Sequence, residues 1–154
     1  MTKTKHNIKS RLQAAMYLNI EEKMASLSQA IASIQESKLN ETKSSAGDKF
    51  ETGRAMMQQE LDRIESQMDM LNVTKNRLKQ MSSFITHDRV VAGAIVITDS
   101  GNFYISVSLG KVKVEDELYY TVSPEAPLSK VFLNKKSGDR VEFRGRIYYI
   151  KNVM

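Results

Sequence analysis

The chain has 154 residues, of which 27% are charged and 41% apolar, with a net charge of +5 and a pI near 9.4. This is the composition of a folded, water-soluble chain, and no stretch approaches the roughly 18–20 apolar residues of a membrane span. No apolar segment follows the basic start Met1-Thr-Lys-Thr-Lys-His6, so no signal peptide is expected. Cysteine is absent, which excludes disulfides, thiolate zinc sites and a cysteine nucleophile and suits a reducing cytoplasm.

Up to Ile85 there are 13 basic and 10 acidic residues, and beyond it 10 and 8, so both parts are mildly basic and mixed. Neither carries the Lys/Arg block of a direct nucleic-acid binder. The basicity reads instead as solubility, or as help in meeting an acidic partner.

Proline is missing before Pro124, and between Ile8 and Phe84 only Gly47 and Gly53 interrupt good helix formers. Apolar residues step by alternating fours and threes through Ile20, Met24, Leu27, Ile31 and Ile34. They do so again through Met57, Leu61, Ile64, Met68 and Leu71, with Leu78 beyond. That spacing is a coiled-coil seam. Ile34 with Met57, Ile31 with Leu61, Leu27 with Ile64, Met24 with Met68 and Ile20 with Leu71 are pairs whose positions add to 91 or 92. A constant sum requires an antiparallel hairpin turning at 45–46. The residues there, Thr42-Lys-Ser-Ser-Ala-Gly-Asp48, are ones that cap helices and turn chains. Residues 1–85 are thus predicted to form an antiparallel coiled-coil hairpin with its tip near 42–51. Each arm has room for about 35–38 residues, or roughly 50–57 Å.

Beyond Phe84 the period changes. Residues 90–98, rich in β-branched side chains, read as a strand, Asp99-Ser-Gly-Asn102 is a turn leading into a strand over 103–107, and 118–122 is a further strand. Pro127 suits the first turn of a short helix over 127–134, and 141–143 with 146–150 forms a hairpin around Arg144-Gly145. Residues 86–154 therefore read as a compact α+β domain, a twisted antiparallel sheet with one helix.

The tip carries the most suggestive chemistry. Asp48 and Glu51 are three residues apart at a helix start, so both carboxylates fit one face and suit the hard-oxygen preference of Mg²⁺. The same spacing describes a capping box whose charges favour the helix dipole, and spacing alone leaves the two readings open. Lys38, Lys43, Lys49 and Arg54 surround the tip as a solvated face or as phosphate contacts. His6 and His87 have no ligand cluster and read as surface residues. Met56, Met57, Met68, Met70 and Met81 read as seam filling. In the strand pairs Tyr119-Tyr120 and Tyr148-Tyr149, one ring is expected inside and its neighbour outside.

In this order of domains, Gly47-Asp48-Lys49-Phe50-Glu51 at the turn resembles the Gly-Asp-x-x-Glu tip of the Gre transcript-cleavage factors of bacterial RNA polymerase. Ser123-Pro124, Leu128, Gly138-Asp139 and the last hairpin Arg146-Ile-Tyr-Tyr-Ile150 follow the order of that family's C-terminal, FKBP-like domain. The resemblance covers nearly the whole chain. It implies a monomeric accessory factor, not an enzyme in its own right, whose C-terminal domain docks at the rim of the polymerase secondary channel. Its coiled coil would enter the channel, with the nascent RNA 3′ end as a further contact. Asp48 and Glu51 would then help hold a Mg²⁺ shared with the polymerase active site, promoting cleavage of backtracked transcript. The chain departs from the family after the tip, where Thr52-Gly53-Arg54-Ala55 puts Arg54 at a usually acidic position, and it lacks the Pro-Met-Thr opening. Channel binding that inhibits or retunes the polymerase is the first alternative. An FKBP-like isomerase or chaperone with a helical extension is the second, and a coiled-coil adaptor the third.

Overall fold

In the computed structural model the described residues are 2–43 and 47–154, with side chains described over 8–40 and 52–154. Two long helices, α1 (Thr2–Lys43) and α2 (Gly47–Lys79), form a helical hairpin of 42 and 33 residues. At 1.5 Å per residue these span about 63 and 50 Å. The predicted turn at 45–46 lies outside the described residues. α2 stops at Lys79 with Arg77 and Lys79 in its last turn, where cations suit the carbonyl end of the dipole. Its end tightens, with Gln80 N–H and Met81 N–H each donating three residues back.

By packing, the chain divides into two units: Ile20–Val73, and Met1–Asn19 together with Thr74–Met154. This division differs from the change of composition at 85, because the roots of both helices pack with the sheet.

In the first unit, Ile20, Leu61 and Ile64 are buried, while Met24, Leu27, Ile31, Ile34, Met57, Met68 and Leu71 are half-buried. That is the narrow stripe expected of a two-helix seam. Lys38 Nζ donates to Gln58 Oε1 across the two helices at 2.8 Å. Met56 and Met70 correct the expectation that they fill the seam: both are largely exposed, at 65% and 71%.

The second unit is built on a six-stranded sheet in the order β3-β4-β2-β1-β6-β5. Its strands are β1 (Ile95–Thr98), β2 (Gly101–Ile105), β3 (Gly110–Val114), β4 (Glu117–Val122), β5 (Arg140–Phe143) and β6 (Arg146–Val153). The sheet is mixed rather than wholly antiparallel. β2 and β4 run parallel, because the chain leaves β2 for the edge strand β3 and returns between the two. The strand expected over 90–98 is shorter, since Gly93 at φ +95° breaks the extended run before β1. The helix α3 (Pro127–Phe132) ends two residues earlier than expected, with Asn134 in the left-handed region that closes helices.

One face of the sheet buries Val96, Phe103, Ile105, Val141, Tyr148 and Ile150 against Phe132 of α3. The other face meets the helix root. There Tyr104 is fully buried and its hydroxyl accepts from Gln13 Nε2 at 2.8 Å; the same amide reaches the Met81 carbonyl at 3.0 Å. Leu12, Met16 and Leu78 are fully buried in this unit. Arg11 of α1 pairs with Glu115 of the β3–β4 turn.

This polar tie gives a direct test. Gln13→Leu should cost about 1–3 kcal/mol, because it strands a buried hydroxyl and a carbonyl. Adding Tyr104→Phe to it should recover part of that loss. Urea unfolding of the two single variants and the double variant measures the coupling.

Candidate functional site

Because α2 begins at Gly47, Asp48 and Glu51 are its second and fifth residues. Their side chains, and those of Lys43 and Lys49, lie outside the described residues, as does His6. The described part of the hairpin holds an open groove of about 560 Å³ lined by Gln35, Lys38, Leu39, Arg54, Gln58, Leu61 and Glu65. Gln58 links both walls: it accepts from Lys38 and donates through Nε2 to Asp62 Oδ1 at 2.9 Å. Lys38, Arg54 and Glu65 thus give the lining of the groove charges of both signs.

A second concavity of about 400 Å³ lies in the other unit, lined by Arg77, Met81, Ile85, His87, Ser106 and Glu125 among others. His87 corrects the reading of it as an ordinary surface residue. Burial first, then the charge of Lys9, pushes its imidazole below the usual range, with Asp88 opposing. It is therefore neutral at pH 7, able to donate from one nitrogen and accept at the other. Ser106 Oγ is buried and has no hydrogen-bond partner. No Phe or Tyr lines this cleft. An aromatic-walled slot for a prolyl peptide is not present there. No sequence signal marks the cleft, because its residues come from the end of α2, the following link, the β2 end and the loop before α3.

Among the described residues no group of three His, Asp or Glu side chains is placed to hold a metal ion. No described helix is long and apolar enough to cross a membrane.

The tyrosine expectation holds for one pair and not for the other. Tyr148 is buried and Tyr149 half exposed, at 6% and 50%. Tyr119, however, is buried on one face while Tyr120 is half-buried on the other, stacked on Phe103 with centroids 5.5 Å apart.

No family model matches the chain, and no curated protein does. Among solved structures it is similar to one described as the structure of the transcription factor Gfh1. The match has 16% identity and a TM-score of 0.38, and covers 90% of this chain and 93% of that one.

Proposed function

We propose that this protein is a Gre-like accessory factor of bacterial RNA polymerase, acting in the cytoplasm as a monomer through the secondary channel. The observation that carries the reading is that Gly47-Asp48-x-x-Glu51 opens the second arm of a long helical hairpin, followed by an α+β domain. A carboxylate pair at the junction of two helices of this length suits delivery of oxygen ligands to a metal held mainly by another protein. In that role Asp48 and Glu51 complete the shell of a Mg²⁺ at the polymerase active site, and the polymerase carries out the hydrolysis of backtracked RNA.

The test is a backtracked elongation complex with purified polymerase. Added protein should speed transcript cleavage, and Asp48→Ala with Glu51→Ala should abolish the stimulation, by at least about 100-fold, while leaving polymerase binding intact. Binding with slowed elongation and no cleavage selects the inhibitory alternative, to which Arg54 at a usually acidic position is suited. Absence of binding refutes the proposal.

A further inference from the structure

Divided at Ile85, the chain shows two mildly basic parts. Divided by where the charges sit in the fold, it is strongly uneven. Residues 130–154 contain Lys130, Lys135, Lys136, Arg140, Arg144, Arg146 and Lys151 against Asp139 and Glu142, a net +5, and residues 1–129 have 16 basic and 16 acidic side chains. The whole net charge of the protein lies in its last 25 residues.

The fold brings Lys135, Lys136, Arg140 and Lys151 towards one edge of the sheet. β5 is an edge strand, and β6 lies between it and β1. Arg140 pairs with Tyr149 across β5 and β6, so both point to the face opposite buried Val141 and Tyr148. Lys151 is exposed at the point where β6 shifts register against β1. The loop carrying Lys135 and Lys136 is stitched to this strand, with Ser137 Oγ donating to the Lys151 carbonyl at 2.7 Å and Gly138 N–H to Ile150. Arg89 is tied to the same loop through the Asn134 carbonyl at 3.0 Å. Asp139 is occupied in holding the turn, accepting from Lys136 N–H. No side-chain ion pair or hydrogen bond engages Lys135, Lys136, Arg140 or Lys151 among the described residues.

Between Arg140 across the strand pair and Lys151 two residues on, and with Glu142 on the same face, Tyr149 is 50% exposed, yet its backbone is fixed on both sides. Its N–H donates to Asp99 Oδ1 at 2.9 Å, and its carbonyl accepts from Asp99 N–H. An exposed ring on an ordered strand, flanked by unpaired cations, combines a stacking platform with phosphate contacts. A purely acidic protein surface would use the cations and leave the ring without a role.

We propose that the β5–β6 edge binds single-stranded nucleic acid. Lys136, Arg140 and Lys151 meet successive phosphates and Tyr149 stacks on a base. This site is separate from the tip acids and stands or falls independently of them.

Fluorescence anisotropy with labelled twelve-nucleotide oligo(U) and oligo(dT) tests it on the full chain. Wild type should bind with a log–log salt slope near −2, that is, roughly 20-fold weaker at 200 mM than at 50 mM salt. The triple variant Lys136→Ala, Arg140→Ala and Lys151→Ala should weaken binding by about 100-fold at 50 mM and flatten the slope. Tyr149→Ala should lose roughly tenfold with the slope unchanged, a split that a charge-only surface does not produce. Asp48→Ala with Glu51→Ala should bind as wild type does. All the substituted side chains at the edge are exposed, and matching far-UV circular dichroism checks that the variants fold. Tighter binding of oligo(U) or of oligo(dT) supports the proposal and names the strand. No binding at 50 mM salt, unchanged affinity in Tyr149→Ala, or displacement by polyglutamate as effective per charge as by oligonucleotide would each overturn it.

Discussion

Phe132→Ala should lower the unfolding free energy by about 3–5 kcal/mol, the usual cost of emptying a buried phenyl site. Phe132 is fully buried on α3, and its ring lies 5.4 Å from that of Phe103 and 5.5 Å from that of Tyr148. Phe103 in turn contacts Tyr148 edge-on at 5.8 Å, so the three rings form a closed set with geometries that favour their quadrupoles. The helix has six residues, no side-chain cap at Ala126, and little strength of its own. Two features hold it besides the ring: Pro127 in its first turn, and Ser129 Oγ donating to the Ser123 carbonyl at 2.6 Å. Without the ring, the cluster opens on the side of α3 and the helix loses its anchor. For a unit of about 100 residues the melting temperature should fall by roughly 12–20 °C, followed by circular dichroism in the near-ultraviolet tyrosine bands. Phe132→Leu should cost much less, because it keeps most of the buried volume. Equal losses in the two variants would mean that ring packing is not what secures α3.

The hairpin was legible because a coiled-coil seam is a local signal. Ile20, Leu61 and Ile64 fall on the three-and-four spacing, and the register closes on residues that turn chains. β3 was not legible, although Gly110-Lys-Val-Lys-Val114 alternates as a strand should. Its turn is Glu115-Asp116, both in the left-handed region at φ 51° and 66°, where glycine or asparagine would have announced a hairpin. The equivalent turn at Arg144-Gly145 carries the glycine that marks a hairpin in the sequence. The parallel pairing of β2 with β4 depends on which strands share an edge, and composition does not encode that. The tip motif is readable as Gly47, Asp48 and Glu51 within five positions, while its capping and metal-binding readings share one spacing. The basic edge was hidden because its cations are spread over a helix, a loop and two strands. Counted with the second domain, they are averaged against Glu115, Asp116, Glu117 and Glu125.

Lys9 should make the protein more stable as pH rises above 8, the reverse of what alkali does to most folded chains. Its side chain is 1% exposed, with Nζ donating to the Ile85 carbonyl at 2.7 Å, and burial pulls its pKa from the usual 10.5 to about 8. The unfolded chain keeps this proton up to about 10.5 and the folded chain releases it near 8. Between those values the unfolded state binds more protons, so stability increases with pH; below 8 the full cost of the buried ammonium is present. The gain through the window is on the order of 2 kcal/mol. Tyr104, whose hydroxyl is raised chiefly by burial, acts in the opposite direction above about pH 10, so the window closes there. His87 adds a second step of the same sign lower down, its imidazole being held below 6.5 by burial and by the Lys9 charge. Folding therefore weakens as pH falls through the range where the unfolded histidine protonates. Lys9→Met separates these effects, since methionine keeps the unbranched length and the exposed Ile85 position lets water satisfy the freed carbonyl. In urea titrations from pH 5 to 10, the difference between wild type and Lys9→Met should shrink steadily above pH 8. The histidine pKa followed by NMR should rise in the variant, because one of its two depressing causes is gone. Parallel stability curves with an unmoved His87 would mean that the Lys9 ammonium reaches water despite its burial.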